Sequence, residues 1–442
     1  MNIFALSSGK GPSGIAIIRM SGNDVLKISE SISQKKDLKS KEINFCKFYN
    51  PLNNVLIDEG LLLLFPAPNS FTGDNLVEFH IHGSNAVISY FLRVLSEQPN
   101  CRLAEAGEFT KVAFQNNKID LIEAESIGDL IHSETELQRQ QAVKLVQGNA
   151  SNYYNDLREK LIKSLAYIEA KIDFAEDELP ESVLKNVQKS IKEVHLDIKK
   201  ILDDHKVGEK IRDGFKVSIV GEVNAGKSSL LNLLSKRDAA IVSHEKGTTR
   251  DIIEVYLNID GYPVILADTA GIRDSNNEIE KKGIALAISR SQNSDLNLII
   301  IDNSSKNLDP IIENMINDES IVVLNKSDLD VKQNYNFKKA TVVLISVKDN
   351  KNIIQLISKI KEKLSKKFIA SNNILVTRER HRAKLNDCLK EINNFLQKDQ
   401  NKDIEMAAED LRLATRHLGG IVGKVDVEEI LDSIFRDFCI GK

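Results

Sequence analysis

The 442-residue sequence has no tryptophan and only 5% aromatic residues, so rows of aromatic platforms for stacking single-stranded bases are not encoded. Cysteine is equally scarce. Cys46, Cys101, Cys388 and Cys439 stand far apart with no Cys-x-x-Cys pair, which excludes a zinc knuckle or a disulfide framework and points to a reducing compartment. Neither sign of charge dominates: the formal net charge is -4 with 28% charged residues. Any contact with nucleic acid must then come from a local patch or from shape. No basic-then-apolar leader opens the chain, and no apolar run is long enough to span a bilayer. The expectation is a cytoplasmic protein with no membrane segment. Internal repeats and low-complexity tails are also missing.

Proline is sparse, and its placement divides the chain. Five of the eight prolines precede residue 100. Residues 1–118 read as mixed α/β: Ile15 to Ile18 and Leu61 to Phe65 are apolar runs of strand length, and Val77 to His82 alternates at strand period. From Ile119 onward, apolar residues recur at three-to-four spacing, with Leu157, Leu161, Leu165, Ile168 and Ile172 marking one stripe of a long helix. The stretch from Arg378 to the end is helical in pattern too, with Gly419-Gly420 as a break. A complete α/β unit separates the two helical segments. We therefore expect an α/β multi-domain protein with a first domain at 1–118, a helical domain at 119–211 and 371–442, and an inserted α/β domain at 212–370. Two independent helical domains are the alternative.

Four blocks in the central unit, in this order, carry the chemistry. The first is Gly221-Glu222-Val223-Asn224-Ala225-Gly226-Lys227-Ser228, between a strand pattern (Phe215 to Val220) and a helix pattern (Ser228 to Leu234). That context is what a phosphate loop requires. Glycines at 221 and 226 let backbone amides turn toward phosphate oxygens. Lys227 supplies a point charge, Ser228 a hydroxyl for Mg²⁺, and the helix start a favourable dipole. The second is Gly247-Thr248-Thr249, where Thr249 can complete the Mg²⁺ shell. The third is Asp268-Thr269-Ala270-Gly271, closing the apolar run Tyr262 to Ala267. Asp268 can hold Mg²⁺ through water and the Gly271 amide can sense a γ-phosphate, a plain turn being the alternative for Asp268. The fourth is Asn325-Lys326-Ser327-Asp328. Asp328 can accept from the N1 and N2 protons of guanine; adenine lacks those donors and would leave the carboxylate unpaired. The Lys326 stem can pack on the base, and Ser346-Val347-Lys348 follows a strand pattern where a base-contacting loop belongs. Together the blocks specify GTP, Mg²⁺ and phosphate-bond hydrolysis. The residue after the third block is Ile272, which cannot orient the attacking water, so another group must. Asp274, Glu278 and Glu280 are acidic candidates, and solvated loop residues are their other reading.

The chain resembles, over its whole length, the bacterial GTPase family that modifies the wobble uridine of tRNA. The resemblance rests on Gly14 to Gly22 (GIAIIRMSG), Pro68-Asn69-Ser70-Phe71-Thr72-Gly73, Ala106-Gly107-Glu108-Phe109-Thr110, Asn117-Lys118-Ile119-Asp120-Leu121, Asn224 to Leu230, Gly247-Thr248-Thr249-Arg250-Asp251 and the terminal Phe438-Cys439-Ile440-Gly441-Lys442. It implies an N-terminal domain that dimerises and binds a tetrahydrofolate derivative (5-formyl or methylene form) through Arg19, Glu78, Lys118 and Lys442. It implies GTP contacts from Asn224, Ala225, Gly226, Lys227, Ser228, Ser229, the loop Ser243-His244-Glu245-Lys246-Gly247-Thr248-Thr249, and the third and fourth blocks. It also implies K⁺ held by Asn224, Ser243, Glu245 and Thr248, and Glu280 as the residue that positions water. The implied partners are a second copy of the chain, an FAD-dependent subunit in a heterotetramer, and tRNA. The family's pattern at 243–247 is more often Thr-Asp-Ile-Ala-Gly; carbonyl ligation tolerates that change. Cys439 matches the family's terminal cysteine, with a buried structural thiol as its alternative. The rival function is a ribosome-assembly or signalling switch without base chemistry, which would have no use for residues 1–118 or for the terminal Cys-Ile-Gly-Lys.

Overall fold

The computed structural model describes residues 1–9, 11–173, 181–236, 240–241, 254–268, 291–305, 308–329, 337, 340–368, 374–399, 403–425, 431, 434–435 and 438–441. The chain forms two compact units, one of residues 1–128, 146–158 and 415–442, the other of residues 129–145 and 159–414.

In the first unit, strands β1 (Asn2–Leu6), β2 (Ser13–Ser21), β3 (Asn44–Tyr49), β4 (Leu56–Phe65), β5 (Leu76–Gly83) and β6 (Cys101–Leu103) form one sheet in the order β3-β4-β5-β2-β1-β6. Strand alternation sends Ala16, Ile18 and Met20 of β2 into a core shared with Val77, Phe79 and Ile81 of β5. The helices Val25–Ser33 and Asn85–Ser96 bury their apolar stripes in the same core. Phe48 meets Phe79 and Phe91 edge-on, with centroids 5.7 and 5.6 Å apart, so three of the few aromatic rings are spent on one cluster. The opposite face carries the other residues of the alternation. The antiparallel register of β2 and β5 sets Arg19 across from Glu78 and Ile17 across from His80.

The predicted helix stripe is present in the helix Asn149–Asp173, where Leu157, Leu161 and Ile168 are buried. Leu165 and Ile172 are half-buried, and Tyr154 and Ser164 complete the inner line. The expected break at Gly419-Gly420 does not occur. The helix Ile404–Val422 runs through both glycines, and Gly423, at φ +84°, follows its end. Gly419 serves close packing instead: a Cβ there would lie 2.8 Å from Val425 Cγ2 and 3.2 Å from Arg158 Nε.

In the second unit, β7 (Phe215–Gly221), β8 (Ala240–Ile241), β9 (Glu254–Ile259), β10 (Tyr262–Asp268), β11 (Leu296–Asp302), β12 (Ile321–Asn325) and β13 (Thr341–Leu344) form a sheet in the order β13-β12-β11-β7-β10-β9-β8. β10, β7, β11, β12 and β13 run parallel; β9 and β8 add antiparallel pairs. The chain builds one side of β7 as far as β10, then crosses to build the other side from β11. The carboxyl ends beside β7 are therefore a topological switch point, where open α/β sheets place ligands. Also in this unit, the helix Glu379–Gln397 brings buried Arg382 against the helix Val207–Asp213. Arg382 pairs with Glu209 and with Asp204, each at 2.7 Å, and donates to the Leu202 carbonyl. No helix among the described residues is long and apolar enough to cross a membrane.

Candidate functional site

The carboxyl ends of five parallel strands deliver the candidate nucleotide-site residues. β7 ends in Gly221 and the loop to Ser228, from which the helix Lys227–Lys236 departs. Two glycines are sterically required. A Cβ on Gly221 would lie 2.1 Å from the Ile300 carbonyl of neighbouring β11, and one on Gly226, at φ +101°, would lie 2.2 Å from Asn325 Nδ2. Asn224 adopts φ 62°, a left-handed conformation that asparagine tolerates better than most side chains. The ammonium of Lys227 folds over the loop and donates to the carbonyls of Gly221 (2.8 Å) and Glu222 (2.7 Å). The loop thus forms a tight cradle with a cation at its mouth, which suits a phosphate chain.

Asn325, at the end of β12, ties this cradle to the loop after β13. Its Nδ2 donates to the Ala225 carbonyl (2.9 Å), and its Oδ1 accepts from the Val347 amide (3.1 Å). Asp328 accepts from the Ser346 hydroxyl at 2.8 Å. That bond holds the half-buried Asp328 carboxyl below the usual carboxylate range, with the charges of Lys348 and Lys326 adding to it. Asp328 is therefore a fixed anion, aimed by Ser346, as recognition of the two guanine donors demands. Lys326, at φ 64°, reaches Asp302 Oδ2 at 2.5 Å. Burial raises the Asp302 carboxyl, but hydrogen bonds from Lys326 and Ser304 outweigh it and leave it lowered. Valine at 347 adds a half-buried side chain against the core under the sheet.

Asn224, Ala225, Gly226, Lys227, Ser228, Ser229, Asn325, Lys326, Asp328, Ser346, Val347 and Lys348 thus surround one sheet edge, and the backbone of β10 brings Asp268 to the same edge. Ser243, His244, Glu245, Lys246, Gly247, Thr248, Thr249, Thr269, Ala270, Gly271, Ile272, Asp274, Glu278 and Glu280 lie outside the described residues. The Asp302–Lys326 and Ser346–Asp328 contacts were not anticipated. A signal for Asp302 was available, since it closes the apolar run Leu298 to Ile301 as Asp268 closes Tyr262 to Ala267.

The first unit holds the second cluster. Arg19 and Glu78 pair directly, with Nη2 and Nε of the guanidinium 2.8 and 3.1 Å from Glu78 Oε1. Phe71 and Phe109 flank the guanidinium, with centroids 5.6 and 5.8 Å away, and shelter the pair. His80 Nε2 lies 3.5 Å from Glu78 Oε2, beyond good hydrogen-bond geometry, and is buried with no hydrogen-bond partner. A buried orphan nitrogen beside a carboxylate whose guanidinium partner is flanked by two rings fits a planar ligand with both donors and acceptors. Lys118 Nζ donates to the Pro68 carbonyl (2.9 Å), which pins the loop that carries Phe71.

The C-terminal tail closes on this unit. Phe438 packs with Leu121, Ala124, Leu431 and Phe435, and Ile440 makes a β-bridge to Ala106. The Ser7 hydroxyl donates to the Gly441 carbonyl at 2.8 Å. A Cβ on Gly441, at φ +100°, would lie 2.2 Å from the Leu6 carbonyl. Leu6 and Ser7 follow Ala5, the residue that faces Arg19 across β1 and β2. Cys439 is exposed, which removes the buried-thiol alternative; the core cysteines are Cys46 and Cys388, whose thiols burial pushes up. Lys442 lies outside the described residues.

Two family descriptions match successive parts of the chain. The family described as "GTP-binding protein TrmE N-terminus" matches residues 2–118, and that described as "MnmE helical domain" matches residues 121–439. The tRNA modification GTPase MnmE of Pelagibacter ubique is 57% identical over 443 residues, covering 100% of both chains. That of Rickettsia bellii is 42% identical over 448 residues, covering 100% of this chain and 99% of the relative. Among solved structures, Aquifex aeolicus Era bound to GDP and aluminium fluoride is 25% identical, covers 40% of this chain and 66% of that one, and superposes with a TM-score of 0.27.

Proposed function

The chain belongs to the MnmE family of tRNA modification GTPases, a GTP-hydrolysing enzyme of tRNA modification, and from that membership we propose the reaction it serves. Together with an FAD-dependent subunit, in a heterotetramer built on a homodimer of this chain, it adds an aminomethyl or carboxymethylaminomethyl group to C5 of the wobble uridine. The carbon comes from a tetrahydrofolate derivative, in the 5-formyl or methylene form. The setting is the cytoplasm.

In the GTPase unit, the amides of the phosphate loop and Lys227 hold the phosphates, and Asp328, aimed by Ser346, selects guanine. Ser228 and Thr249 would hold Mg²⁺; Asn224, Ser243, Glu245 and Thr248 would hold K⁺. Bound there, the two cations supply positive charge where the phosphates gain negative charge. Glu280 would orient the attacking water in place of the apolar Ile272. In the other unit, Glu78 would pair with the donor edge of the pterin, while Arg19, Lys118 and Lys442 would meet acidic parts of the folate. Phe71 and Phe109 offer faces for its ring, and Cys439 lies on the tail that closes beside it.

The observation that carries this reading over a plain GTPase switch is the tail: Gly441 is hydrogen-bonded to Ser7, which follows the end of β1 two residues after Ala5, the residue facing Arg19. A switch without base chemistry has no reason to fasten its last residues there. The test is mass spectrometry of tRNA nucleosides after reconstitution with the flavin-dependent subunit. Modified wobble uridine that depends on both GTP and a reduced folate is expected; unmodified uridine under those conditions, or no binding of any reduced folate, rules the reading out.

A further inference from the structure

The helix Glu136–Val146 grips the GTPase sheet at two points, and those points are the far ends of neighbouring strands. The first is the turn from β9 to β10. The Leu137 amide donates to the Gly261 carbonyl (3.2 Å), Asn258 Nδ2 donates to the Glu134 carbonyl (3.4 Å), and the Leu137 side chain packs against the core of the sheet. Asp260 and Gly261 both have positive φ, 50° and 93°, the conformation of a tight two-residue hairpin. From this hairpin β10 runs straight to Asp268 at the nucleotide edge. The second point is the helix Val207–Asp213, which leads directly into β7 and so to the phosphate loop. There Gln138 Nε2 donates to the Arg212 carbonyl and Gln141 Nε2 to the Gly208 carbonyl, both at 3.0 Å.

Gln138 has a further task. Its Oε1 accepts from the amides of Glu134 and Thr135 (3.1 Å each), while Thr135 Oγ1 accepts from the Gln138 amide (3.4 Å). That is a capping box, with the side chain fixing the start of its own helix. One amide group therefore sets where the helix begins and ties it to the lead-in of β7, while the preceding residue ties it to the β9–β10 turn.

β7 and β10 are adjacent and parallel. A displacement of β10 along β7 at the nucleotide edge must appear at the opposite edge as a change in distance between the two grips. Leu137 of the first grip and Gln138 and Gln141 of the second stand within two turns of one helix, so both grips cannot hold through such a displacement. We propose that Leu137 and Gln138 are positioning residues that set β10 against β7 and pass the state of the nucleotide to the helical segment that follows them. The inference rests on GTP being the ligand of this sheet.

Hydrogen exchange on the full chain tests it, with GDP and with a non-hydrolysable GTP analogue. The peptide covering residues 135–145 should exchange at rates differing by about threefold or more between the two nucleotides, with protection of the phosphate-loop peptide reporting occupancy. The discriminating variant is Gln138→Glu. A glutamate keeps the capping box but has no proton to give the Arg212 carbonyl. We expect a melting temperature only slightly lowered, because the Arg212 carbonyl that loses its donor is only part-buried, a KM for GTP within about twofold of the unaltered chain, loss of the nucleotide-dependent exchange difference, and several-fold less modified uridine per GTP hydrolysed. Equal exchange of the 135–145 peptide with both nucleotides bound overturns the inference and leaves the GTPase reading intact. So does a Gln138→Glu protein that retains both the exchange difference and the coupling. No phosphate-loop protection with either nucleotide would overturn the GTPase reading and this inference with it.

Discussion

Asn325→Asp is the sharpest test of the nucleotide site, because it changes one atom's role and no shape. Asn325 is buried and joins the phosphate loop to the base loop through one donated and one accepted hydrogen bond. Aspartate keeps the bond from the Val347 amide. It replaces the donor to the Ala225 carbonyl by a carboxylate oxygen, which faces that carbonyl across 2.9 Å. A buried carbonyl left without its donor costs about 1–3 kcal/mol. If nucleotide binding must restore the order that the bridge provides, GTP affinity falls by about 5- to 150-fold, at ~1.4 kcal/mol per tenfold. The loss should also depend on pH with a defined sign. Burial and the facing carbonyl raise the new carboxyl's pKa. As pH falls through that raised value the group gains a proton, becomes a donor again, and recovers affinity. Titration with a fluorescent GTP at about pH 8 and about pH 5.5 checks both parts, the larger loss being expected at the higher pH. Affinity within about twofold of the unaltered chain at both pH values would refute the bridging role. An equal loss at both would show that the donor is not what was lost.

Asp328→Asn keeps an acceptor for the Ser346 hydroxyl but presents a donor to the N1 and N2 protons, so binding should shift away from GTP; equal GTP affinity would sink the base assignment. In the unaltered chain Asp328 is held below the usual carboxylate range, so its contribution is present above that range and is lost as pH falls through the lowered value. GTP affinity at about pH 5 should therefore match that at neutral pH, provided no other group titrates between. Hydrolysis should be faster in K⁺ than in Na⁺ at equal ionic strength, and identical rates would remove Asn224, Ser243, Glu245 and Thr248 from cation binding. Arg382→Ala leaves the carboxylates of Glu209 and Asp204 without their shared cation, which costs about 3–5 kcal/mol where such a pair is buried. Thermal melting of the variant should drop by several degrees, at ~2–4 °C per kcal/mol, and an unmoved transition would show the network to be dispensable.

Features whose partners lie close in the chain were readable from spacing. The phosphate loop needs a strand end, two glycines, a lysine and a helix start within a few residues, and all stand in order from Val220 to Ser228. Val77 to His82 alternates at strand period and lies within β5. Gly419-Gly420 shows where local reading fails. Glycine weakens a helix, so the pair reads as a break, but the space beside Gly419 is taken by Arg158 and Val425 and the helix continues through both. The Arg19–Glu78 pair spans 59 positions and depends on the register of β2 and β5, in which a one-residue slip would turn either side chain to the other face.

Residue types in order along the chain determined the chemistry: a guanine nucleotide, a phosphate cradle, and a terminal motif beyond the needs of a switch. Tertiary structure alone decided which polar groups meet. Asn325 bridges Ala225 across 100 positions, Ser7 holds Gly441 across 434, and Gln138 holds Arg212 across 74. A period of 2 or 3.6 states which face a side chain takes but carries no information about what the opposing segment places there. Those pairings follow from strand order, register and helix packing, which are settled when distant segments bury their apolar faces together.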